Sequence, residues 1–457
     1  MLFSNYRPVS VLPVFSKILE RLMYNRLLLF INEHDILYRY QFGFRADHSP
    51  NLALLLMVDK ISDALENGDY VLGLFLDFSK AFDTVNHDIL FLKLENYGIR
   101  GVALNMFKSY LSNRYQYVVY NGVISENKKI SCGVPQGSIL GPLLFLLYIN
   151  DLALVSTKLF SLLFADDSNM FLIGKDPNKL IQTMNEEIIN VVDWLRVNKL
   201  SLNLKKTHFI IFQKQKARFD VNTELIVDGV NIERKNSTKF LGVMLDKCLT
   251  FEDHIEYIKG KVSRGLGILI RCRKLFTQKT LLTLYNSFLY PYLNFCISVW
   301  GNTHESYLKP LIVLQNNAIR LVSGAKRRSI IWNERTILIP AHTDPLYKKL
   351  NLLKLRQIYL YSVQQFVFKY HHGLLPEIFH NFYAMNSSFH PHNTRSQNMY
   401  RPPLFRSTLA SLTVRATGVK TYNYFFNILS MDCSILSYKY ALRKHVIVND
   451  INSVDAL

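Results

Sequence analysis

Three aspartates lie at the ends of short apolar segments, where carboxylates could bind a metal ion. Asp77 directly follows the apolar run at residues 70–76, and Asp166 and Asp167 lie between two further apolar runs. An unpaired buried carboxylate carries a large desolvation penalty, which a divalent cation with oxygen ligands would remove. Two Mg²⁺ ions about 4 Å apart can act on both sides of an in-line phosphoryl displacement. The residues alone leave a second interpretation equally open, in which Asp166 and Asp167 form an ordinary solvated turn.

Strands and turns must position these aspartates. Residues 70–76 are a short apolar run bounded by Gly68 and Asp77, which predicts a buried strand. Residues 159–164 and 170–173 are two more apolar runs, and the five residues between them predict a hairpin turn. The carboxylates would then lie where strands meet turns.

Helical periodicity surrounds the predicted strands. The predicted helices span residues 15–34, 52–65, 87–97, 102–111, 140–155 and 180–197. Asn121-Gly122, between two strand-like segments, is a strong signal for a further hairpin. Beyond about Leu249 the pattern is almost wholly helical and basic. The sequence therefore predicts a mixture of helices and strands followed by a helical region.

Charge is distributed unevenly along the 457 residues, which carry 54 Lys and Arg against 35 Asp and Glu, a net charge of +19. Residues 1–250 hold 28 basic and 25 acidic side chains, whereas residues 251–457 hold 26 and 10. The basic part favours nucleic acid as a partner over a ribosomal-type or merely soluble surface. A hydrophobic content of 49% excludes disorder over most of the chain. Five widely spaced cysteines exclude a disulfide scaffold and an evident zinc site.

Seven short motifs occur in order along the chain. Two of them contain the three aspartates, and a third lies between those two along the chain. In order they are Asp77-Phe78-Ser79-Lys80-Ala81-Phe82-Asp83, Val134-Pro135-Gln136-Gly137-Ser138 and Phe164-Ala165-Asp166-Asp167. The other four are Tyr6-Arg7-Pro8-Val9-Ser10 (with Ser16-Lys17 and Glu20), Gln41-Phe42-Gly43-Phe44-Arg45, Asn203-Leu204-Lys205-Lys206-Thr207 and Lys239-Phe240-Leu241-Gly242. The first three resemble motifs A, B and C of the reverse transcriptases of non-LTR (LINE-type) retrotransposons, and the others resemble the finger motifs and motifs D and E. The resemblance is dense over residues 4 to about 245.

The resemblance implies an α+β right-hand polymerase of fingers, palm and thumb, followed by a mostly helical basic C-terminal region. Its implied activity is RNA-directed DNA polymerisation, with an RNA template, a DNA primer and dNTPs as partners. Asp77 and Asp166 would ligate two Mg²⁺ ions, with Asp167 assisting and Mn²⁺ as a substitute. One ion would lower the pKa of the primer 3′-hydroxyl, and the other would hold the triphosphate and the leaving pyrophosphate.

Four further residues would contact the nucleotide. Phe82 stands where the family keeps an aromatic steric gate, so its ring would collide with a ribose 2′-hydroxyl; the alternative is a plain core residue. Phe78 would also bind substrate. Gln136 and Gly137 would let the backbone approach the nucleotide and template, because glycine has no Cβ. Without the resemblance, the same segment would be an ordinary turn before a helix.

Basic side chains complete the implied site. Arg45 would contact the triphosphate, although it could be an exposed loop residue. Lys206, with Lys205 as the alternative, would donate a proton to pyrophosphate, although either could be a solvated lysine. The thumb residues implied to bind the template–primer backbone are Arg271, Arg273 and Lys274.

The implied domains are partial fingers at 1–69, a palm with inserted finger elements at 70–245, a helical thumb at 246–335 and a C-terminal region of unassigned role at 336–457. Because the match begins almost at Met1, where the family has more finger residues, we expect an N-terminally truncated chain. The competing hypothesis is a non-catalytic nucleic-acid-binding remnant. The intact carboxylates and Phe82 favour the enzyme, whereas the missing finger residues favour the remnant.

One uncharged segment raises the question of a membrane. Residues 280–304 contain no Asp, Glu, Lys or Arg, but Pro291 and several polar residues favour a buried helix pair. No signal peptide is visible, and Lys326-Arg327-Arg328 matches a nuclear-localisation pattern. The sequence thus predicts an intracellular protein, in the nucleus or the cytoplasm, without a membrane segment.

Overall fold

The computed structural model describes residues 9–325, 328–332, 335–339, 341–389 and 396–451. Tyr6-Arg7-Pro8 of the first motif and Lys326-Arg327 of the basic cluster lie outside the described residues. The chain divides into two compact units. Unit 1 lies within Met1–Ser49, Asp69–Ile211 and Lys216–Lys235, and unit 2 within Pro50–Gly68, Phe212–Gln215 and Asn236–Leu457.

The helices are α1 (Val14–Glu33), α2 (Pro50–Glu66), α3 (His87–Asn96), α4 (Gly101–Leu111), α5 (Leu140–Ile149), α6 (Pro177–Val197), α7 (Glu252–Cys272), α8 (Gln278–Phe288), α9 (Tyr290–Asn294), α10 (Ile297–Trp300), α11 (Glu305–Ser323), α12 (Asp344–Leu350), α13 (Leu355–His371), α14 (Thr408–Ser411), α15 (Val414–Phe425) and α16 (Ile435–Val448). The strands are β1 (Tyr70–Leu76), β2 (Tyr115–Gln116), β3 (Val119–Tyr120), β4 (Val123–Ile124), β5 (Lys128–Lys129), β6 (Phe160–Phe164), β7 (Asp167–Gly174), β8 (His208–Phe212), β9 (Ile226–Val227), β10 (Val230–Asn231), β11 (Glu233–Arg234), β12 (Ser237–Phe240), β13 (Val243–Asp246), β14 (Arg328–Trp332) and β15 (Arg335–Ile339).

A five-stranded sheet is the centre of unit 1, with the strand order β11-β8-β1-β7-β6. β1 is buried from its second residue to its last, which a continuous apolar run predicts for a strand covered on both faces. It pairs antiparallel with β7, and β7 pairs antiparallel with β6. The predicted strand at 70–76 and the predicted hairpin at 159–173 are therefore confirmed.

Helix α5 supplies much of the core of unit 1. All of its residues except Pro142 are buried, so the predicted buried helix is confirmed over this range. The helix stops earlier than predicted, and a 3₁₀ turn at Asn150–Leu154 follows. The Asn150 side chain explains this end, since its Oδ1 accepts from the Tyr38 amide at 2.7 Å and its Nδ2 donates to the Ile36 carbonyl at 2.7 Å. These bonds tie the residue to another segment.

The Asn121-Gly122 signal is also confirmed. Asn121 and Gly122 have φ angles of 48° and 79°, and they connect β3 to β4, which pair antiparallel. Positive φ at both central residues is the requirement of a type I′ hairpin turn.

Helix α2 belongs to unit 2, where a partly buried ion pair links it to α15. The Arg415 Nε donates to Asp59 Oδ1 at 2.9 Å, and its Nη2 donates to Asp59 Oδ2 at 2.5 Å. Asp63, one turn further along α2, also faces Arg415, at 3.7 Å. Two parallel bonds of this kind have strict geometry, so α2 is fixed to a helix more than 340 residues away in sequence. The residue boundaries given above for the fingers, palm, thumb and C-terminal region remain a prediction.

The rest of unit 2 is mostly helical, as predicted, although β14 and β15 form a hairpin that the helical pattern did not predict. The uncharged segment at 280–304 forms three short helices, α8 to α10, rather than a helix pair. Within the described part of the chain, no helix combines the length and the apolar character that crossing a bilayer requires.

His254 links α7 to β13 within unit 2. Its ring is 2% exposed, and its Nδ1 accepts from the Met244 amide at 3.3 Å. Burial, with a smaller contribution from Lys239, lowers the pKa of His254 to about 4. The folded protein therefore disfavours the charged ring.

We expect acid to destabilise unit 2 through His254. Because the folded pKa lies below the unfolded value, the contribution of the neutral ring is present above about pH 6.5 and is lost as the pH falls towards 4. Between pH 7 and pH 5 the wild type should lose about 1–2 kcal/mol more unfolding free energy than His254→Gln. Urea titrations at both pH values measure this difference, with exposed His304→Gln as the control. Equal acid sensitivity of wild type and His254→Gln would contradict the expectation.

Candidate active site

The strand register brings the three predicted metal ligands to one end of two neighbouring strands. β1 ends at Leu76, which pairs with Ser168 of β7. Because the two strands are antiparallel, Asp77, the residue after Leu76, lies next to Asp167, the residue before Ser168. Asp166 occupies the turn immediately before Asp167. The Asp77 side chain is 38% exposed, Asp166 is half-buried and Asp167 is exposed. All three carboxylates can therefore face solvent or a ligand at this end of the sheet.

The turn that carries Asp166 is tighter than predicted. Phe164 pairs with Asp167, which leaves Ala165 and Asp166 as a two-residue turn in place of five residues. Ser168 and Asn169, which are polar, nevertheless belong to β7 and are buried. They continue the strand because both pair with residues of β1 and β6. Apolar periodicity does not reveal buried polar strand residues of this kind.

Motif D is attached to Asp77. The Asp77 carbonyl accepts from the Asn203 amide at 2.7 Å, and the Asp77 amide donates to Thr207 Oγ1 at 3.5 Å. Lys206 Nζ lies 3.8 Å from Asp77 Oδ2. Because the Lys206 side chain is 69% exposed, this ion pair contributes little to stability. The structure thus brings Lys206 to the predicted site, and its role as a proton donor remains a prediction.

Motif B is hydrogen-bonded to motif A and to the segment before α1. Gln136 Nε2 donates to Asp83 Oδ1 at 2.8 Å, and the Val134 amide donates to the Phe82 carbonyl at 2.8 Å. The Ser10 amide donates to the Gln136 carbonyl at 2.7 Å. Gly137 has a φ of 108°, and a Cβ at this position would lie 3.0 Å from the Ser10 carbonyl oxygen. A glycine is required here for both reasons.

Glu20 supports motif B from inside the protein. Its side chain is fully buried, its Oε2 accepts from the Ile139 amide at 2.6 Å, and its Oε1 accepts from the Tyr110 hydroxyl at 2.9 Å. Burial, followed by the Glu20 charge, raises the pKa of the Tyr110 hydroxyl, so Tyr110 stays a donor. The sequence places Glu20 with the first finger motif but gives its side chain no role. Its place on the buried stripe of α1, with Met23, could have revealed it.

The two phenylalanines of motif A have different environments. Phe78 is 7% exposed and lies in the hydrophobic core of unit 1, and its contact with a substrate remains a prediction. Phe82 is half-buried, and its ring stacks on Phe145 of α5 with a centroid distance of 4.2 Å. The Phe44 ring meets Phe82 edge-on at 6.2 Å. The Phe82 ring is thus partly accessible to solvent and packed against the Phe145 ring.

Arg45 is bonded to the loop that contains it. Its Nη1 donates to the Tyr38 carbonyl at 3.0 Å and to the Gln41 carbonyl at 3.4 Å. Burial lowers the pKa of the guanidinium, and Asp35 opposes this effect. These contacts order the loop, and a contact of Arg45 with a triphosphate remains a prediction.

The predicted thumb residues belong to unit 2. Arg271 lies in the last turn of α7, and Arg273 and Lys274 follow it. All three are exposed, as phosphate-binding side chains must be. Motif E also lies in unit 2, where it includes the end of β12 and the turn of the β12–β13 hairpin. The turn residues Leu241 and Gly242 have φ angles of 44° and 88°.

The carboxylates fit a magnesium site of the kind that a substrate completes. Among the residues that the structure describes, no three His, Cys, Asp or Glu side chains converge to hold a metal ion unaided. Mg²⁺ in phosphoryl-transfer sites is usually bound by one or two carboxylates together with water and substrate phosphates. Asp77, at the end of β1, and Asp166, in the β6–β7 turn beside it, would supply that donor set.

A family model described as reverse transcriptase (RNA-dependent DNA polymerase) matches residues 3–245. This is more than half of the chain, and the chain belongs to that family. The resemblance to non-LTR retrotransposon enzymes and the predicted right-hand polymerase fold are confirmed.

Relatives in Drosophila melanogaster carry the similarity beyond residue 245. The probable RNA-directed DNA polymerase from transposon X-element is 31% identical over 331 residues, which are 71% of this chain and 36% of the relative. The RNA-directed DNA polymerase from mobile element jockey is 31% identical over 363 residues, which are 75% of this chain and 38% of the relative. The chain thus spans little more than a third of these relatives. Apo telomerase from Candida tropicalis is a similar solved structure, with a TM-score of 0.39, 12% identity, and coverage of 67% of this chain and 50% of that one.

Proposed function

We propose that this chain is a polymerase that adds deoxynucleotides to a DNA 3′ end on an RNA template, as a step of retrotransposition. The observation that carries the proposal is the placement of Asp77, Asp166 and Asp167 at adjoining strand ends of unit 1, in a chain of the reverse transcriptase family. Its substrates, RNA, DNA and dNTPs, occur in the nucleus and the cytoplasm, where we place this activity.

Asp77 and Asp166 would hold two divalent ions, with Asp167 assisting. When bound, Mg²⁺ or Mn²⁺ would activate the primer 3′-hydroxyl and neutralise charge on the phosphates. The chain itself forms no covalent intermediate in this proposal. Its contribution is to position the reactants and to stabilise the developing charge.

Other residues of unit 1 would bind the nucleotide around these carboxylates. The Phe82 ring, supported by Phe145, would exclude a 2′-hydroxyl. Gly137, exposed and without a side chain, would allow the nucleotide and template to approach the backbone. Arg45 would bind the triphosphate, and Lys206, close to Asp77, would give a proton to the leaving pyrophosphate.

Extension of a labelled DNA primer on an RNA template, with Mg²⁺ and dNTPs, tests this function. Binding of the same template–primer should be measured separately by fluorescence anisotropy. Template-dependent extension supports the proposal. Binding without extension, in Mg²⁺ and in Mn²⁺, would identify the chain as a nucleic-acid-binding remnant instead.

We expect the exposed basic residues after α7 to determine much of the affinity for the duplex. Replacing Arg271, Arg273 and Lys274 together by Gln should weaken binding at low salt and reduce the slope of log K against log[salt] by roughly 2–3, since each lost phosphate contact removes about one released counterion. Anisotropy titrations at several salt concentrations measure the slope.

A matched triple variant controls for the loss of charge alone. Lys175, Lys179 and Lys199 are exposed residues of unit 1, and their replacement by Gln changes the net charge equally. An equal reduction of slope in both triple variants would show that Arg271, Arg273 and Lys274 have no special role in binding.

A further inference from the structure

The loop at residues 40–43 lies along β6, next to the turn that carries Asp166. The Leu163 amide donates to the Tyr40 carbonyl at 3.1 Å, and the Phe42 amide donates to the Leu163 carbonyl at 2.8 Å. Gln41 and Leu163 form a parallel bridge. The finger motif that contains Gln41 is therefore attached to the strand that ends two residues before Asp166.

The Gln41 side chain continues this attachment into the turn itself. It is 1% exposed, and its Oε1 accepts from the Gly43 amide at 2.9 Å and from the Ala165 amide at 3.0 Å. Both partners are backbone donors, so only the carbonyl end of the side-chain amide can face them. The side chain thus satisfies two buried N–H groups that would otherwise be costly.

Ala165 is the residue of the turn that most needs such support. Its φ is 54°, in the left-handed region that costs a non-glycine residue roughly 1–2 kcal/mol. Gly43 presses against it, since a Cβ on Gly43 would lie 2.3 Å from the Ala165 nitrogen. The Gln41 Oε1 atom holds the Ala165 amide, and Gly43 packs closely against the same backbone. Together they fix the backbone of Ala165, the residue directly before Asp166.

We propose that Gln41 is a positioning residue that sets the orientation of the Asp166 carboxylate for metal binding by holding the Ala165 amide. The inference rests on the proposed function, in which Asp166 is a metal ligand. Gln41 acts through the backbone and touches neither the metal nor the substrate. Groups that orient a metal ligand typically change metal affinity or activity by about 10–100-fold when they are replaced.

The test compares Gln41→Leu, which removes the acceptor, with Gln41→Glu, which keeps a carbonyl oxygen in the same shape. Gln41→Leu should accelerate hydrogen exchange of the Ala165 amide at least roughly 10-fold and weaken Mn²⁺ binding, measured by electron paramagnetic resonance, by about 10–100-fold. In primer extension, kcat should fall by a similar factor while the KM for dNTP stays within about twofold. Gln41→Glu should recover most of each effect.

Gln315 provides a matched control, because it is also fully buried and accepts a backbone bond, from Leu355 at 2.8 Å. Gln315→Leu should lower the thermal unfolding temperature as Gln41→Leu does, without changing Ala165 exchange or Mn²⁺ affinity. Unchanged exchange in Gln41→Leu, or equal effects of both Leu variants on exchange and metal affinity, would overturn the proposal. A wild type that binds Mn²⁺ but does not extend primers, with exchange and affinity still dependent on Gln41, would refute the polymerase function and support the positioning role.

Discussion

Replacing Asp166 by Asn is expected to abolish primer extension while leaving binding of the template–primer intact. The substitution keeps the shape of the side chain but removes a negative charge from the end of the β6–β7 hairpin. An amide is a far poorer ligand than a carboxylate for Mg²⁺, which prefers charged oxygen donors. We expect the rate to fall by roughly 10³-fold or more, equivalent to about 4 kcal/mol of barrier. Asp77→Asn should have the same effect, since Asp77 adjoins the hairpin at the end of β1.

The control for this expectation is an aspartate of the same unit that lies away from the strand ends. Asp193, on α6, is exposed and pairs with Arg196 at 3.1 Å, so Asp193→Asn changes the charge equally. It should extend primers as the wild type does. Extension by Asp166→Asn at more than a tenth of the wild-type rate would show that this carboxylate is not a metal ligand, and the polymerase mechanism proposed here would fail.

The sequence predicts the parts of the fold and of the site that depend on local patterns. The apolar run that ends at Asp77, the Asn121-Gly122 turn and the apolar composition of α5 are each local, and each has the expected structure. The order of the motifs is likewise a property of the chain alone, and it leads to the family that the match over residues 3–245 shows.

The bonds that hold the motifs together could not be predicted in the same way. Glu20 bonds to Ile139 across 119 positions, Gln41 to Ala165 across 124, and Asp59 to Arg415 across 356. Glu20, Gln41 and Asp59 are each a buried polar side chain among apolar neighbours. Hydrophobic periodicity marks such a residue as an exception to the apolar pattern but does not identify its partner. Partner and distance depend on the tertiary structure, because a buried polar group needs a partner but its own sequence does not specify which one.

These long-range bonds also relate the predicted finger segment to the predicted palm of unit 1. Ser10 bonds to Gln136 of motif B and Glu20 to Ile139, the residue after it, whereas Gln41 and Gly43 hold the turn of motif C. The residues before Ser49 therefore fix the backbone of both loops that would surround the nucleotide. This arrangement gives the finger motifs a structural role at the site in addition to any direct contact with substrate.

Phe82→Val is expected to let the proposed polymerase accept ribonucleotides. The wild-type ring cannot easily yield to a 2′-hydroxyl, because it stacks on Phe145 at 4.2 Å, and Phe145 is fully buried in α5. The bond from the Val134 amide to the Phe82 carbonyl holds the backbone as well. Removing the ring should reduce the preference for dNTP over rNTP, measured as the ratio of kcat/KM values, by roughly 100-fold, the scale on which steric fit separates close analogues.

Two variants separate this exclusion of the 2′-hydroxyl from a general loss of packing. Phe82→Tyr keeps the ring and should keep the preference for dNTP. Phe91→Val removes a half-buried phenylalanine of α3 that packs on the same core, so it should cost stability but leave the preference unchanged. A Phe82→Val enzyme that still rejects rNTPs would mean that Phe82 is a core residue and that another group excludes the 2′-hydroxyl. Phe145 packs against the Phe82 ring from α5, so Phe145→Leu tests the same role. If Phe82 excludes the 2′-hydroxyl, the preference of Phe145→Leu for dNTP should lie between that of the wild type and that of Phe82→Val.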